Sequence, residues 1–409
     1  MSISFWGLLS VPFTLVLSNS LLIPVLPQMQ KALDISLFQS GLIITAFSLT
    51  AGVVIPIAGY ISDHVGRKSV MIPALVIFGL GGVAAGLASW LLPNPYPWIL
   101  VARVTQGIGG GGTYQLAMAL AGDIYTGKKR SRAVGYLEAA NGFGKVVAPL
   151  LGSATALIIW YAPFFVYGLL AWPAAILVWT VCQEPPLATP PKSSEYLAEL
   201  KKVWAKRGIG LAACFIAGFL ALFLLFGLLS YLADVLEQQL HVKGFTRGLL
   251  VAIPVLSLTV TCSLVGVYLE KRLGTPVKKA LLLGLALVTI ALIALALLPP
   301  GYIYFAPLVI AAIGTGIFLP ALNLLITSAC SGERGFVTAL YGTVRFFGAA
   351  LGPPAVGLGL EMGKTPLFFV FAAAAAIVLA LVWWLVNPYE MLPEKLVKSS
   401  RNKGEKTNK

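Results

Sequence analysis

The sequence predicts an all-α polytopic membrane protein whose 12 transmembrane helices form two pseudo-symmetric six-helix bundles. Three observations carry this: twelve apolar stretches of membrane-crossing length, basic residues gathered in alternate gaps, and self-similarity at half the chain length. Apolar residues make up 58% of the 409 and charged residues only 11%, with a mean hydropathy of +0.89. Soluble globular chains of this size do not have such a composition.

The stretches are Phe5–Leu26, Ser40–Ile61, Ser69–Leu92, Pro97–Ala121, Ala133–Ile159, Tyr161–Cys182, Ile209–Asp234, Arg247–Leu269, Val277–Leu298, Tyr302–Ile326, Gly335–Leu360 and Pro366–Pro388. Roughly 20 apolar residues in a helix cover a hydrocarbon core of about 30 Å. None shows the period-2 alternation of a lipid-facing barrel strand. The first stretch lacks a basic leader and a small-residue cleavage site, so it is read as span 1, not a removable signal.

Charge gives the orientation. With the N-terminus inside, 22 of the 29 Lys and Arg lie in cytosolic segments, among them Arg67, Lys68, Lys128, Lys129, Arg130 and Arg132. The outer loops hold Lys31, Lys243, Arg247 and Lys364, and three bases lie within spans. Positive residues stay inside, which predicts a multi-pass protein of the inner (plasma) membrane with both termini cytoplasmic. The net charge of +14 is thus an orientation signal, and no nucleic-acid partner is expected. Cys182, Cys214, Cys262 and Cys330 lack metal-ligand spacing and read as buried structural thiols.

The domain expectation is an N-terminal bundle (1–182), a Pro-rich cytosolic linker (183–208), a C-terminal bundle (209–388) and a basic tail (389–409). Within the linker, Leu197, Leu200 and Trp204 share a helical face among lysines, which suits an amphipathic helix on the inner leaflet. A shift of 205 residues carries Ile108–Gly111 onto Ile313–Gly316, and Pro149 and Gly152 onto Pro354 and Gly357. Gly59 through Gly66 has a longer echo from Gly266 through Glu270 to Gly274. Repetition at half the length indicates a duplicated six-helix unit, the geometry that rocking about a central cavity requires.

Gly59-Tyr60-Ile61-Ser62-Asp63-His64-Val65-Gly66-Arg67-Lys68 places two glycines, an acid and two bases in a tight turn. Asp63 suits a helix N-terminus or an adjoining base, a pair that latches one conformation. This string resembles the loop-2/3 signature of the major facilitator superfamily, G-x-x-x-D-x-x-G-R-K, with His64 where a second arginine is common. Gly59, Asp63, Gly66, Arg67, Lys68, Gly266 and Glu270 are therefore expected to form a conformational gate. Span 4 carries Arg103-Val-Thr-Gln106-Gly107-Ile-Gly109, similar to the family's R-x-x-Q-G motif. Span 5 carries Gly142, Gly144, Ala148, Pro149 and Gly152, similar to the exporters' G-x-x-x-G-P-x-x-G with Ala148 in a glycine position. Gly107, Gly109, Gly142, Pro149 and Gly152, with Pro353, Pro354 and Gly357 in span 11, are read as hinge and packing residues.

The resemblance implies proton-driven export of small amphiphiles, drug-like or siderophore-like, by alternating access. Three bases (Arg103, Lys145, Arg345) and one clear acid (Glu138) lie within spans, and a buried arginine needs a polar partner such as Ser18, Asn19 or Ser20. The positive excess suits an anionic substrate; structural pairing of each base is the competing reading. Expected substrate contacts are Arg103, Lys145, Arg345, Asn19, Asn141, Tyr114, Gln115, Asn323 and Tyr341. Glu138 is the expected proton carrier, because burial raises a carboxyl pKa and a nearby base lowers it. Protons, a small-molecule substrate and membrane lipid are the expected partners of a functional monomer, with no metal or cofactor. A lipid or lysolipid translocase, or an organic-anion importer or facilitator of the same fold, remains an alternative. Gly107, Gly109 and Gly112 satisfy G-x-G-x-x-G only incidentally, since no strand precedes them, and no Walker A string or catalytic triad suggests an enzyme.

Overall fold

The computed structural model describes residues 3–125, 127–185, 193–271, 274–299, 301–329 and 334–391, and no strand occurs among them. Span 1 is built from α1 (Ile3–Ser20), a 3-10 turn at Ile23–Val25 and α2 (Leu26–Leu33). The next elements are α3 (Leu37–Val65), α4 (Arg67–Leu91), α5 (Tyr96–Gly111), α6 (Tyr114–Ile124), α7 (Gly127–Ala156) and α8 (Ala162–Val181). The second half holds α9 (Ser193–Gln238), α10 (Gly244–Lys271), α11 (Thr275–Leu297), α12 (Phe305–Ala329), α13 (Arg334–Glu361), α14 (Lys364–Leu385) and the short α15 (Pro388–Met391).

Nine segments among the described residues are long and apolar enough to cross a membrane. The expected spans outside those nine are spans 4, 5 and 11, the ones that carry Arg103, Glu138 with Lys145, and Arg345. Span 4 falls short in length, being broken into α5 and α6. In spans 5 and 11 polar residues lower the hydropathy, and they persist there only where protein or water meets them.

Span 1 continues past Leu26 to Leu33 and span 7 past Asp234 to Gln238, and two boundaries differ in kind. Span 4 is not one helix: four consecutive glycines, Gly109–Gly112, precede a break at Thr113 between α5 and α6. Glycine raises the entropic cost of helix at each position, so such a run is where a break is cheapest. Conversely, no break separates the linker from span 7. The amphipathic segment and the span form one 46-residue helix, α9, because Gly208 and Gly210 weaken a helix without ending it. Residues 392–409 of the expected tail, and Cys330, lie outside the described residues. Cys182 and Cys214 are buried and Cys262 half-buried.

Two compact units emerge from the contacts. One comprises Met1–Pro190, Phe226–Ile253 and Phe346–Leu358; the other comprises Pro191–Leu225, Pro254–Arg345 and Gly359–Lys409. In the first, α4 packs on α5 and α8, α3 on α5, and α1 on α7 and α8. Leu17, Leu21, Phe47, Phe78, Phe164 and Tyr167 fill its core. In the second, α11 packs on α12 and α14. Pairing of spans 3 with 4 and 3 with 6 thus recurs as 9 with 10 and 9 with 12.

The glycine contacts recur at the same 205-residue shift. Gly109 packs on the α4 backbone at Ala74 and Phe78, and Gly314 on α11, where a methyl group would come within 2.7 Å of the Gly284 carbonyl. Gly111 faces Val54 and Ala51 of α3, and Gly316 faces Leu258 and Thr261 of α10. Lipid tails are as apolar as leucine, so helices in a membrane gain most by bringing backbones close, which small residues permit.

Candidate functional site

Arg103 lies on α5 and is fully enclosed. Its Nε donates to the Ile43 carbonyl at 3.0 Å, its Nη1 to Gln106 Oε1 at 2.6 Å, and its Nη2 to Asn19 Oδ1. The Ser18 carbonyl, at 3.4 Å, accepts as well, and the guanidinium stacks over Phe47 at 4.6 Å. Asn19 in turn donates to Ser48 Oγ at 2.7 Å. Five fixed donors let one side chain tie α1, α3 and α5 together, which a lysine's point charge does not do. No carboxylate pairs with Arg103 among the described residues. The structure thus brings Arg103 and Asn19 together as the sequence predicts, but seals both from any ligand in this conformation.

The second cluster joins α6 to α7. Tyr114 donates its phenol to Glu138 at 2.6 Å. Glu138 is exposed, not buried as expected. The cause is the face of α7 it occupies: Leu137 and Ala133 take the core side. Asn141, Gly142 and Lys145 are half-buried farther along α7. Gln115, beside Tyr114, has a buried Oε1 without a partner among the described residues.

The third cluster lies in the second unit. Arg345 stacks over the Tyr341 ring at 5.4 Å, and Tyr341 packs against Phe215 with ring centres 5.8 Å apart. Neither the Tyr341 hydroxyl nor Arg345 Nε has a hydrogen-bond partner among the described residues. Buried polar atoms left unmatched cost stability, and two such donors on neighbouring turns are able to take acceptor atoms. Asn323, half-buried on α12, has its carbonyl engaged by Thr327 at 2.7 Å.

At the basic end, Asp63 pairs with Arg67, which also donates to Ser62 Oγ at 2.6 Å and reaches Asp123 at 3.4 Å. The acceptor that covers the N-terminus of α4 is Glu184, a residue the sequence reading missed. Its carboxylate takes the backbone N–H of Arg67 and, at 3.2 Å, that of Lys68. Lys68 Nζ donates to the carbonyls of Trp179 and Cys182 at 2.6 and 2.9 Å, closing the end of α8. Gly66 has φ +101, and a side chain there would also strike Glu184. Gly59 is different: a methyl group at Gly59 would meet nothing within 4 Å, so close packing does not explain it here. Gly266 is similarly open, and the Glu270 side chain lies outside the described residues.

The packing residues concentrate at the opposite end. A methyl group on Gly107 would lie 2.6 Å from the Phe47 carbonyl, and one on Gly152 would overlap the Leu21 carbonyl. Gly41 abuts Pro353 and Pro354, Gly357 abuts Phe38, and Gly248 abuts Pro149 and Ser153. Thr45 donates to the Ala350 carbonyl at 2.5 Å. A second group missed by the sequence reading lies here: Glu237 bridges Lys31 and Arg247. Ending span 7 at Asp234 hid it, although Asp234 and Glu237 stand three residues apart on one helix face.

Comparison with known proteins follows this geometry. A family model described as the Major Facilitator Superfamily matches residues 8–353 and 276–407. The bacillibactin exporter of Bacillus subtilis (strain 168) is 38% identical over 393 residues, 95% of this chain and 98% of that protein. Multidrug resistance protein 2 of the same organism is 27% identical over 392 residues, 92% and 94% of the two chains. The crystal structure of the D-xylose-proton symporter superposes with a TM-score of 0.75 at 17% identity, covering 95% of this chain and 97% of that one. This last likeness is one of fold alone.

Proposed function

Because this chain belongs to the major facilitator superfamily, in its bacterial drug-efflux-like branch, we propose that it exports small anionic amphiphiles, siderophore-like or drug-like, by proton antiport with alternating access. The observation that carries the substrate class is the Arg345–Tyr341 pair, whose Nε and hydroxyl donors are unmatched among the described residues. A phenolate or carboxylate satisfies both while neutralising the guanidinium. Lys145 and Asn141 on α7, with Tyr114, Gln115 and Asn323, supply further contacts. Arg103 and Asn19 join them only in a conformation that opens their buried cluster. The relative named as a bacillibactin exporter supports the siderophore-like reading.

Glu138 is proposed as the proton carrier, with Tyr114 as its partner. Protonation weakens the carboxyl group as an acceptor from Tyr114 and gives it a donor of its own, so charge and hydrogen bonding change together. The two six-span halves act as the moving bodies, Asp63 and Arg67 as a gate, and both termini face the cytoplasm. The protein works as a monomer in the inner membrane without metal or cofactor.

Reconstituted vesicles test this reading. An imposed proton gradient should drive accumulation of a catecholate or other anionic amphiphile, and Glu138→Gln should abolish the uphill component. Transport indifferent to the gradient would replace antiport by facilitated diffusion, and movement of lysolipid alone would indicate a translocase. Lys145→Ala and Arg345→Ala should each weaken anion binding by about tenfold, roughly 1.4 kcal/mol, and leave cation binding unchanged. Equal losses for both charges would remove the anion assignment.

A further inference from the structure

The group at the end opposite the basic loops serves no part of the mechanism above. Glu237, near the C-terminus of α9, is 4% exposed and carries two cations. Its Oε1 accepts from Lys31 Nζ of α2 at 2.5 Å, and its Oε2 from Arg247 Nη1 of α10. Arg247 is completely buried, and its Nε and Nη2 have no partner among the described residues, so Glu237 is its one counter-ion there. Asp234, one turn earlier, bonds to Gln30 of α2 and lies near Glu237. Gln30 also donates to Ser40 Oγ of α3 at 3.2 Å.

We infer that Glu237 is the hub of a proton-sensitive latch that holds the non-basic end closed, and that external acid releases it. The inference rests on the alternating-access reading and on the orientation that places this end outside. The sign follows from the pairing. With Glu237 ionised, Lys31 and Arg247 are both neutralised; with it protonated, a buried guanidinium is left without its counter-ion and two cations face each other. Breaking a buried pair is strongly unfavourable, so the neutral acid favours the open arrangement, where the bases meet water. The closed state therefore binds fewer protons, and falling pH on this side shifts the population toward opening. Outside protons thus promote the state from which cargo leaves.

The assay reads opening directly and needs no substrate. In full-length protein with native cysteines replaced, Ser153→Cys on α7 reports the seam: Ser153 is 1% exposed and abuts Gly248, next to Arg247. A membrane-impermeant maleimide is applied outside cells at about pH 7.5 and about pH 3.5, values that straddle the carboxylate range. Rates are normalised to Asn94→Cys, an exposed loop site, which corrects for thiol ionisation. Acid should raise the normalised Ser153→Cys rate at least about fivefold, and Glu237→Gln should raise it as much at either pH and remove the response. A slow, unchanged rate in Glu237→Gln, or an acid response that survives, overturns the latch. Should Glu237→Gln fail to fold, Lys31→Gln decides, because that side chain is 55% exposed and its loss is mild. It should accelerate labelling about twofold, and no acceleration overturns the proposal. Failure of Asn94→Cys to label from outside would instead reject the orientation, while loss of gradient-driven transport in Glu138→Gln concerns only the carrier.

Discussion

Asn19→Leu is the sharpest probe of the buried arginine. Asn19 accepts from Arg103 Nη2 and donates to Ser48 at 2.7 Å, and it is 6% exposed. Leucine has similar volume, so the change removes hydrogen bonding without opening a cavity. A bond to a charged group is worth about 1.5–3 kcal/mol, and an interhelical neutral bond in a membrane averages about 0.6 kcal/mol. Among the described residues no carboxylate pairs with Arg103 to take over the lost acceptor, and the total comes to about 2–4 kcal/mol. For a cooperative unit of 150–250 residues each kcal/mol moves Tm by about 2–4 °C, so the loss is roughly 9 °C. The assay is thermal unfolding in detergent. In the double variant with Arg103→Met the orphaned charge is gone, and Tm should recover by several degrees. A Tm within about 1 °C of the parent, with substrate affinity reduced, would refute the clasp and make Asn19 and Arg103 direct ligand contacts.

Glycines separate into two kinds. Gly152→Ala should destabilise by about 1–3 kcal/mol, because its methyl group meets the Leu21 backbone, which cannot swing aside. Gly59→Ala faces open space within α3 and should leave Tm unchanged or raise it, a gain of up to about 1 kcal/mol; transport assays on the same protein then show whether Gly59 matters to motion. Glu184→Ala strips the first turn of α4 of its acceptor and should cost about 1–2 kcal/mol. Glu184→Gln, which keeps one oxygen, should cost less than half of that, and equal losses would show that charge at the helix end is the whole effect.

Hydrophobicity and charge asymmetry are collective properties of the chain, and both could be read without coordinates. Twelve apolar stretches must cross a bilayer whatever their packing, because no unsatisfied backbone is tolerated in lipid. The duplication was also legible, since Gly109 and Gly314, or Gly111 and Gly316, stand at one shift and make equivalent contacts. Partnership was legible only in part. Arg103 demanded a polar neighbour in span 1, and it has Asn19. Yet which acid covers which base depends on how helices remote in sequence are placed. Glu184 reaches α4 from 116 residues away and Glu237 reaches Lys31 from 206. Exposure of Glu138 was likewise decided by rotation of α7 about its axis, which a row of half-polar residues does not fix. Hydrophobic burial sums over long segments and survives local error, whereas an ion pair needs two atoms within a few ångströms, a condition that only the folded chain meets.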